Sequence, residues 1–116
     1  MMQLGEIGLL THDFVRLAGF YKWLLGVDNQ SEDPVHQCIL SSPLMLTVYN
    51  DGSIKNNANE NLCRAFTVDD PDAEYARLLK KGVKIIASPQ TQPWGTRNLC
   101  FLDPDGNRVY LRSFVK

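Results

Sequence analysis

The stretch Asp103-Pro104-Asp105-Gly106-Asn107 decides the fold of this chain. Pro104 fixes φ for a turn, and Gly106 is a residue that readily takes a positive φ. Apolar residues typical of β-strands lie on both sides of it, at 98–102 and 108–114. The pattern therefore predicts an antiparallel hairpin centred on residue 105.

Composition limits the kind of protein and its partners. The chain has 116 residues, of which 44% are hydrophobic and 22% charged, and this predicts one compact globular domain. The net charge is −1 and the 12 Lys and Arg are scattered, so neither nucleic acid nor a membrane is an expected partner. An amphipathic strand pattern comes first, without a signal-peptide pattern, and predicts a cytoplasmic protein. Three cysteines without CxxC spacing predict reduced thiols and no disulfide or thiolate zinc site.

An internal repeat divides the chain into two halves. A strand near 6–11 leads to Asp13 and an amphipathic stretch that ends at Gly26, and a strand near 63–68 leads to Asp70 and a similar stretch that ends at Gly82. Short apolar strands follow in each half. The repeat predicts an α+β fold of two βαβββ modules, over about 1–52 and about 60–116, joined by the polar segment 51–60.

Each predicted helix has one apolar face that should pack on a sheet. Asp70-Pro71 is a strong signal for the start of the second helix. The expected buried sets are Phe14, Leu17, Ala18, Tyr21, Leu24 and Leu25 in the first helix, and Ala73, Tyr75, Ala76 and Leu79 in the second.

Motifs in both halves resemble those of the vicinal oxygen chelate superfamily, which includes glyoxalases, bleomycin-resistance proteins and extradiol dioxygenases. The resemblance lies in Pro93-Trp94-Gly95-Thr96-Arg97 before the 103–107 turn, in Phe20-Tyr21 after Asp13, and in Ala65-Phe66-Thr67-Val68. It implies paired βαβββ modules that form a curved, largely antiparallel sheet around a central cavity, with the helices outside. It also implies a homodimer.

The same resemblance locates the positions from which metal-dependent members hold a divalent ion. They fall on Glu6, Cys63, Tyr110 and a residue between Met45 and Thr47. The family pattern usually has His at the Cys63 position and Glu at the Tyr110 position. A phenol and a thiol would have to ionise from pKa values near ~10 and ~8.5, so this is a poor set for a divalent ion. No metal or other cofactor is expected, and a non-standard metal site is the alternative.

Glu6 is the candidate catalytic residue, because a carboxylate on an otherwise apolar strand can act as a general base when burial raises its pKa. The alternative is an ordinary ion pair. Its possible partners are Arg64, Arg97, Arg108 and Arg112.

Trp94 lies in a loop rich in Pro and Gly, where a large aromatic side chain offers a flat apolar surface to a ligand. Trp94 with Arg97 could cover a planar, partly anionic molecule. The alternative is that Trp94 closes the core and Arg97 pairs with Asp103 or Asp105. The expected ligand-binding set is Glu6, Tyr49, Cys63, Trp94, Arg97 and Tyr110.

Two functions are consistent with these residues and with the resemblance. The first is a binder of a small organic molecule in a metal-free cavity, similar to the bleomycin-resistance branch. The second is an enzyme, either a lyase or isomerase of the glyoxalase type or a dioxygenase-like protein, with a non-standard metal site or Glu6 as general base. Fold kinship does not choose between them.

Overall fold

The computed structural model describes residues 2, 4–27, 33, 35–41, 44–50, 52 and 62–115. The chain forms two compact units, Met1–Asn57 and Ala58–Lys116. The predicted modules, about 1–52 and 60–116, fall within these units, and most of the predicted connection over 51–60 lies outside the described residues. Among the described residues, no helix is long and apolar enough to span a membrane.

The first unit contains β1 (Glu6–Leu10), α1 (Phe14–Leu25), β2 (His36–Leu40) and β3 (Met45–Tyr49). Its strands lie in the order β1-β3-β2, with β1 parallel to β3 and β2 antiparallel to β3. The Asp13 side chain accepts a hydrogen bond from the Arg16 N–H and caps α1. The predicted apolar face of α1 is confirmed from Phe14 to Leu24, with Leu25 half-buried.

The second unit contains β4 (Cys63–Thr67), α2 (Pro71–Lys81), β5 (Lys84–Thr91), β6 (Thr96–Leu102) and β7 (Arg108–Phe114). Its strands lie in the order β4-β7-β6-β5, with β4 parallel to β7 and the other pairs antiparallel. This is the predicted βαβββ order. Pro89 lies in β5, an edge strand with irregular register, where a missing N–H is tolerated.

The predicted α+β class and repeat are confirmed, but the described strands form two mixed sheets and not one continuous sheet. In each unit the first strand pairs in parallel with the last strand and forms one edge of the sheet. The first unit shows three strands over its described residues. The central cavity between the modules, implied by the family resemblance, stays a prediction.

The predicted buried face of α2 was wrong. Only Pro71 and Leu78 are buried on this helix, while Leu79 is 53% exposed. Pro71 and Leu78 are seven residues apart, which is about two helical turns, so both lie on the same face of α2. The sequence assignment was therefore one residue out of phase.

The predicted hairpin between β6 and β7 is confirmed, and one buried carboxylate holds its turn. Asp103 Oδ1 accepts hydrogen bonds from the N–H groups of Asp105 (2.9 Å) and Asn107 (2.8 Å), and Oδ2 accepts from Asn107 Nδ2 at 2.9 Å. Gly106 takes a φ of 85° in this turn, a value that side chains disfavour. Asp103 is only 4% exposed, so its partners depend on it rather than on water.

We predict that Asp103→Ala lowers the free energy of unfolding by about 2–4 kcal/mol, because it leaves several buried donors without acceptors. Asp103→Asn should cost less, since its oxygen can still accept from both backbone N–H groups. Urea denaturation measures both. Asp69→Ala, at an exposed turn position, is the control and should stay within about 0.5 kcal/mol of the parent protein. Equal losses in Asp103→Ala and the control would contradict the assignment.

Candidate functional site

A cavity of about 460 Å³ lies in the second unit. We call the side of its sheet away from α2 the open face. Alternation along the strands puts Leu99 and Phe101 of β6 toward α2, and Asn98 and Cys100 toward the open face. The residues that line the cavity come from β4, β5, β6 and β7 and from the loop before β6.

Three of the six predicted site residues share this cavity: Cys63, Trp94 and Tyr110. Trp94 is 70% exposed, so its ring is available as a contact surface rather than closing the core. Cys63 is exposed as well, and Tyr110 is half-buried. The structure thus brings together residues that are 47 positions apart in sequence, and their role in binding stays a prediction.

Tyr110 has a neighbour that sequence reasoning did not identify. It lies opposite Cys100 in the register of β6 and β7, and each of the two groups influences the pKa of the other. Burial raises the pKa of the Cys100 thiol. Burial, and then the adjacent Cys100, raise the pKa of the Tyr110 phenol. Both groups are therefore neutral near neutral pH, and this wall of the cavity carries no negative charge.

Arg97 lies outside the cavity lining. Its Nε donates to Asp72 Oδ2 at 2.7 Å and its Nη2 to Asp72 Oδ1 at 2.8 Å, so it faces α2. The partner is thus Asp72 and not Asp103 or Asp105. The hydrogen bonds from Arg97 lower the pKa of Asp72, and those to Asp72 raise the pKa of Arg97. Trp94 and Arg97 are close in sequence, but the Trp94 side chain lines the cavity while the Arg97 side chain binds Asp72 on α2.

Arg112 and Asn98 are two of the polar cavity residues that the sequence did not indicate as site residues; the others are Ser88, Gln90 and Gln92. Arg112 and Asn98 lie directly opposite each other in the β6–β7 register. Arg112 was considered only as a partner for Glu6. Its alternation with Tyr110 along β7 was the available signal, because both even-numbered positions share a face.

Glu6 and Tyr49 lie on the sheet of the first unit. Thr47 Oγ1 donates a hydrogen bond of 2.7 Å to Glu6 Oε2. The Tyr49 ring lies over Gly8, where an added methyl group would come within 2.7 Å of Tyr49 Cε1. The His36 ring is 5.6 Å from the Tyr49 ring. This face thus carries one exposed carboxylate among hydroxyl, phenol and imidazole groups.

The register identifies the fourth metal-ligand position, which the sequence left between Met45 and Thr47. In the second unit Tyr110 pairs with Ala65, two residues after Cys63. In the first unit Thr47 pairs with Gly8, two residues after Glu6, so Thr47 is equivalent to Tyr110.

These residues do not fit the usual metal site of the family. In the first unit, one carboxylate stands beside a neutral hydroxyl that donates to it. In the second unit, the thiol of Cys63 accompanies a phenol whose pKa is raised. Within the part of the chain that the structure describes, no three His, Cys, Asp or Glu side chains are grouped as a metal site would require.

Comparison with known proteins identifies the family. The family model described as Glyoxalase/Bleomycin resistance protein/Dioxygenase superfamily matches residues 3–111. The chain belongs to this superfamily.

Individual relatives agree with this assignment. The uncharacterized protein YraH of Bacillus subtilis strain 168 is 30% identical over 128 aligned positions, which cover 98% of this chain and 100% of YraH. A superfamily member from Sphaerobacter thermophilus matches with a TM-score of 0.69 and 25% identity, covering 97% of this chain and 98% of that one. A glyoxalase/bleomycin resistance protein/dioxygenase from Nocardioides matches with a TM-score of 0.77 and 20% identity, covering 100% and 85%.

Proposed function

We propose that this protein binds a small organic molecule with a flat ring in the cavity of the second unit, without a metal ion and without catalysing a reaction on it. The observation that carries the proposal is the exposed ring of Trp94 beside a cavity of about 460 Å³. This volume falls within the range of about 300–1,000 Å³ of small-molecule sites. Bleomycin resistance proteins appear in the description of the family, and their name supports a binding role.

The lining suits a flat aromatic ring more than a metal ion. Trp94 and Tyr110 supply aromatic surface, while Ala65 and Ala87 leave room beside them. The Cys100 thiol and the Tyr110 phenol are neutral, so they add contact area without repelling an electron-rich ligand.

We predict that Trp94→Ala weakens the binding of naphthol and indole by about 1–3 kcal/mol, because the flat contact surface is lost. Isothermal titration calorimetry measures this without relying on the fluorescence of the mutated residue. Trp94→Phe should retain part of the affinity. Trp23→Phe, which changes the other tryptophan on α1, is the matched control and should bind like the parent protein. If Trp94→Ala binds both probes as tightly as the parent protein, the site is elsewhere.

A second candidate function is an enzyme that uses Glu6 as general base. The observation that favours it is the exposed Glu6 carboxylate, which keeps one oxygen beyond its bond to Thr47 on a face that also carries Tyr49 and His36. A positioned base of this kind typically contributes about 10²–10⁴-fold to a rate.

The two candidates are separated by turnover. Purified protein would be assayed with a hemithioacetal of the glyoxalase type and with a catechol, before and after addition of Ni, Zn, Mn or Fe, with elemental analysis alongside. If the protein only binds its ligand, we expect no turnover in any of these conditions. The enzyme predicts turnover that Glu6→Gln reduces by about 10²-fold or more, while Glu74→Gln on α2 leaves it unchanged. Such turnover would overturn the binding-only function.

We further propose that the protein is a cytoplasmic homodimer. The fold leaves apolar side chains exposed, including Val15 at 77%, Ile86 at 51% and Phe114 at 65%. Exposed apolar surface is commonly covered by a partner when the residues form a patch. Light scattering at micromolar concentration should report twice the mass of the chain, and a monomer would contradict the proposal.

A further inference from the structure

Two buried polar atoms of residues that line the cavity lack a hydrogen-bond partner within the described part of the chain. Arg112 Nε and Asn98 Oδ1 are both inaccessible to solvent, and neither has a hydrogen-bond partner among the described residues. The first is a charged donor and the second is an acceptor. Both residues line the cavity of the second unit, on adjacent strands and at directly opposite positions.

The buried, unpaired Nε–H of Arg112 costs free energy, because the protein gives up the hydration of this donor without replacing it. The same strand pair shows how the chain pairs an arginine that has a structural role. Arg97 of β6 donates two hydrogen bonds to Asp72 and one to Thr91. Among the described residues, Arg112 has no carboxylate or hydroxyl partner of this kind, although β7 is a central strand just as β6 is.

The Arg112 guanidinium is nevertheless held in position. Its Cζ lies 5.0 Å from the centre of the Phe114 ring, two residues along β7 on the same face. Stacking on an aromatic ring restricts the guanidinium plane and leaves its N–H groups free to donate at the edge. A planar fork fixed in this way matches the two oxygens of a carboxylate.

We propose that the ligand of this cavity is an aromatic carboxylate that also carries an N–H or O–H donor, with Arg112 binding the carboxylate and Asn98 accepting from the donor. The inference rests on the proposed binding function and names its ligand class. Directly opposite residues of an antiparallel pair have Cβ atoms about 5 Å apart. Because the two side chains start about 5 Å apart, one small ring can reach both of them, and meta-hydroxybenzoate, which carries a hydroxyl two ring carbons away from its carboxylate, is a suitable probe. Trp94 and Tyr110 contact the ring.

Three probes test the class: benzoate, benzamide and meta-hydroxybenzoate. Benzamide keeps the ring and shape of benzoate but lacks its charge. In the parent protein, benzoate should bind about tenfold or more tightly than benzamide, because a charge-assisted bidentate contact is lost in the amide. meta-Hydroxybenzoate should bind about fivefold more tightly than benzoate, because its hydroxyl satisfies Asn98 Oδ1. Calorimetry at fixed ionic strength gives the three dissociation constants.

Variants assign the preferences to their residues. Arg112→Gln should remove the preference for benzoate over benzamide, and Arg112→Lys should restore only part of it, because lysine keeps the charge without the fork. In Asn98→Leu, the affinity for meta-hydroxybenzoate should fall to the affinity for benzoate, while the affinity for benzoate stays unchanged. Arg77→Gln removes one positive charge from α2 of the same unit and should leave every preference intact.

The outcomes distinguish this inference from the function on which it rests. Equal binding of benzamide and benzoate by the parent protein, or an acid preference that survives in Arg112→Gln, would overturn the carboxylate assignment and leave ring binding in place. A meta-hydroxyl advantage that persists in Asn98→Leu would overturn the role of Asn98. If no ring compound binds, charged or neutral, the proposed function and the inference fall together.

Discussion

The Asp103 carboxylate controls the register of β6 against β7, and the composition of the candidate site depends on that register. Its three hydrogen bonds close the turn over residues 103–107, so Cys100 meets Tyr110 and Asn98 meets Arg112. Side chains alternate between faces along a strand, and a slip of one residue would send every one of them to the opposite face. The cavity would then be lined by the apolar residues that now pack toward α2.

The apolar side of the same hairpin shows why a buried arginine N–H without a partner among the described residues can be tolerated. Leu99, Phe101, Val109 and Leu111 are at most 2% exposed. Burying a side chain of this size contributes about 1.5–3 kcal/mol, so four of them outweigh the cost of about 1–3 kcal/mol for an unsatisfied polar group. The open face is therefore able to keep groups that weaken the fold slightly, and under the proposed function these groups contact the ligand.

Local signals in the sequence were enough to predict the elements, whereas pairing across the fold was not predictable. The 103–107 turn and the start of α2 at Asp70-Pro71 each lie within a few residues, and both were found. Arg97 was grouped with Trp94 because they are neighbours in sequence, yet its partner Asp72 is 25 residues away on α2. That Arg112 Nε has no partner among the described residues depends on how β7 pairs with β4 and β6, which no local pattern encodes.

The repeated halves show which properties the scaffold leaves free to vary. The equivalent positions of the two units hold Glu6 and Cys63, Thr47 and Tyr110, and Tyr49 and Arg112. Strand pairing uses only the backbone of these residues, so a carboxylate, a thiol, a phenol or a guanidinium is accepted at the same point of the sheet. One unit thereby presents an acidic group and the other a basic one on the same backbone plan. Under the proposed function, side chains on the open face of the second unit select the ligand, and Arg112 makes that face suited to an anion.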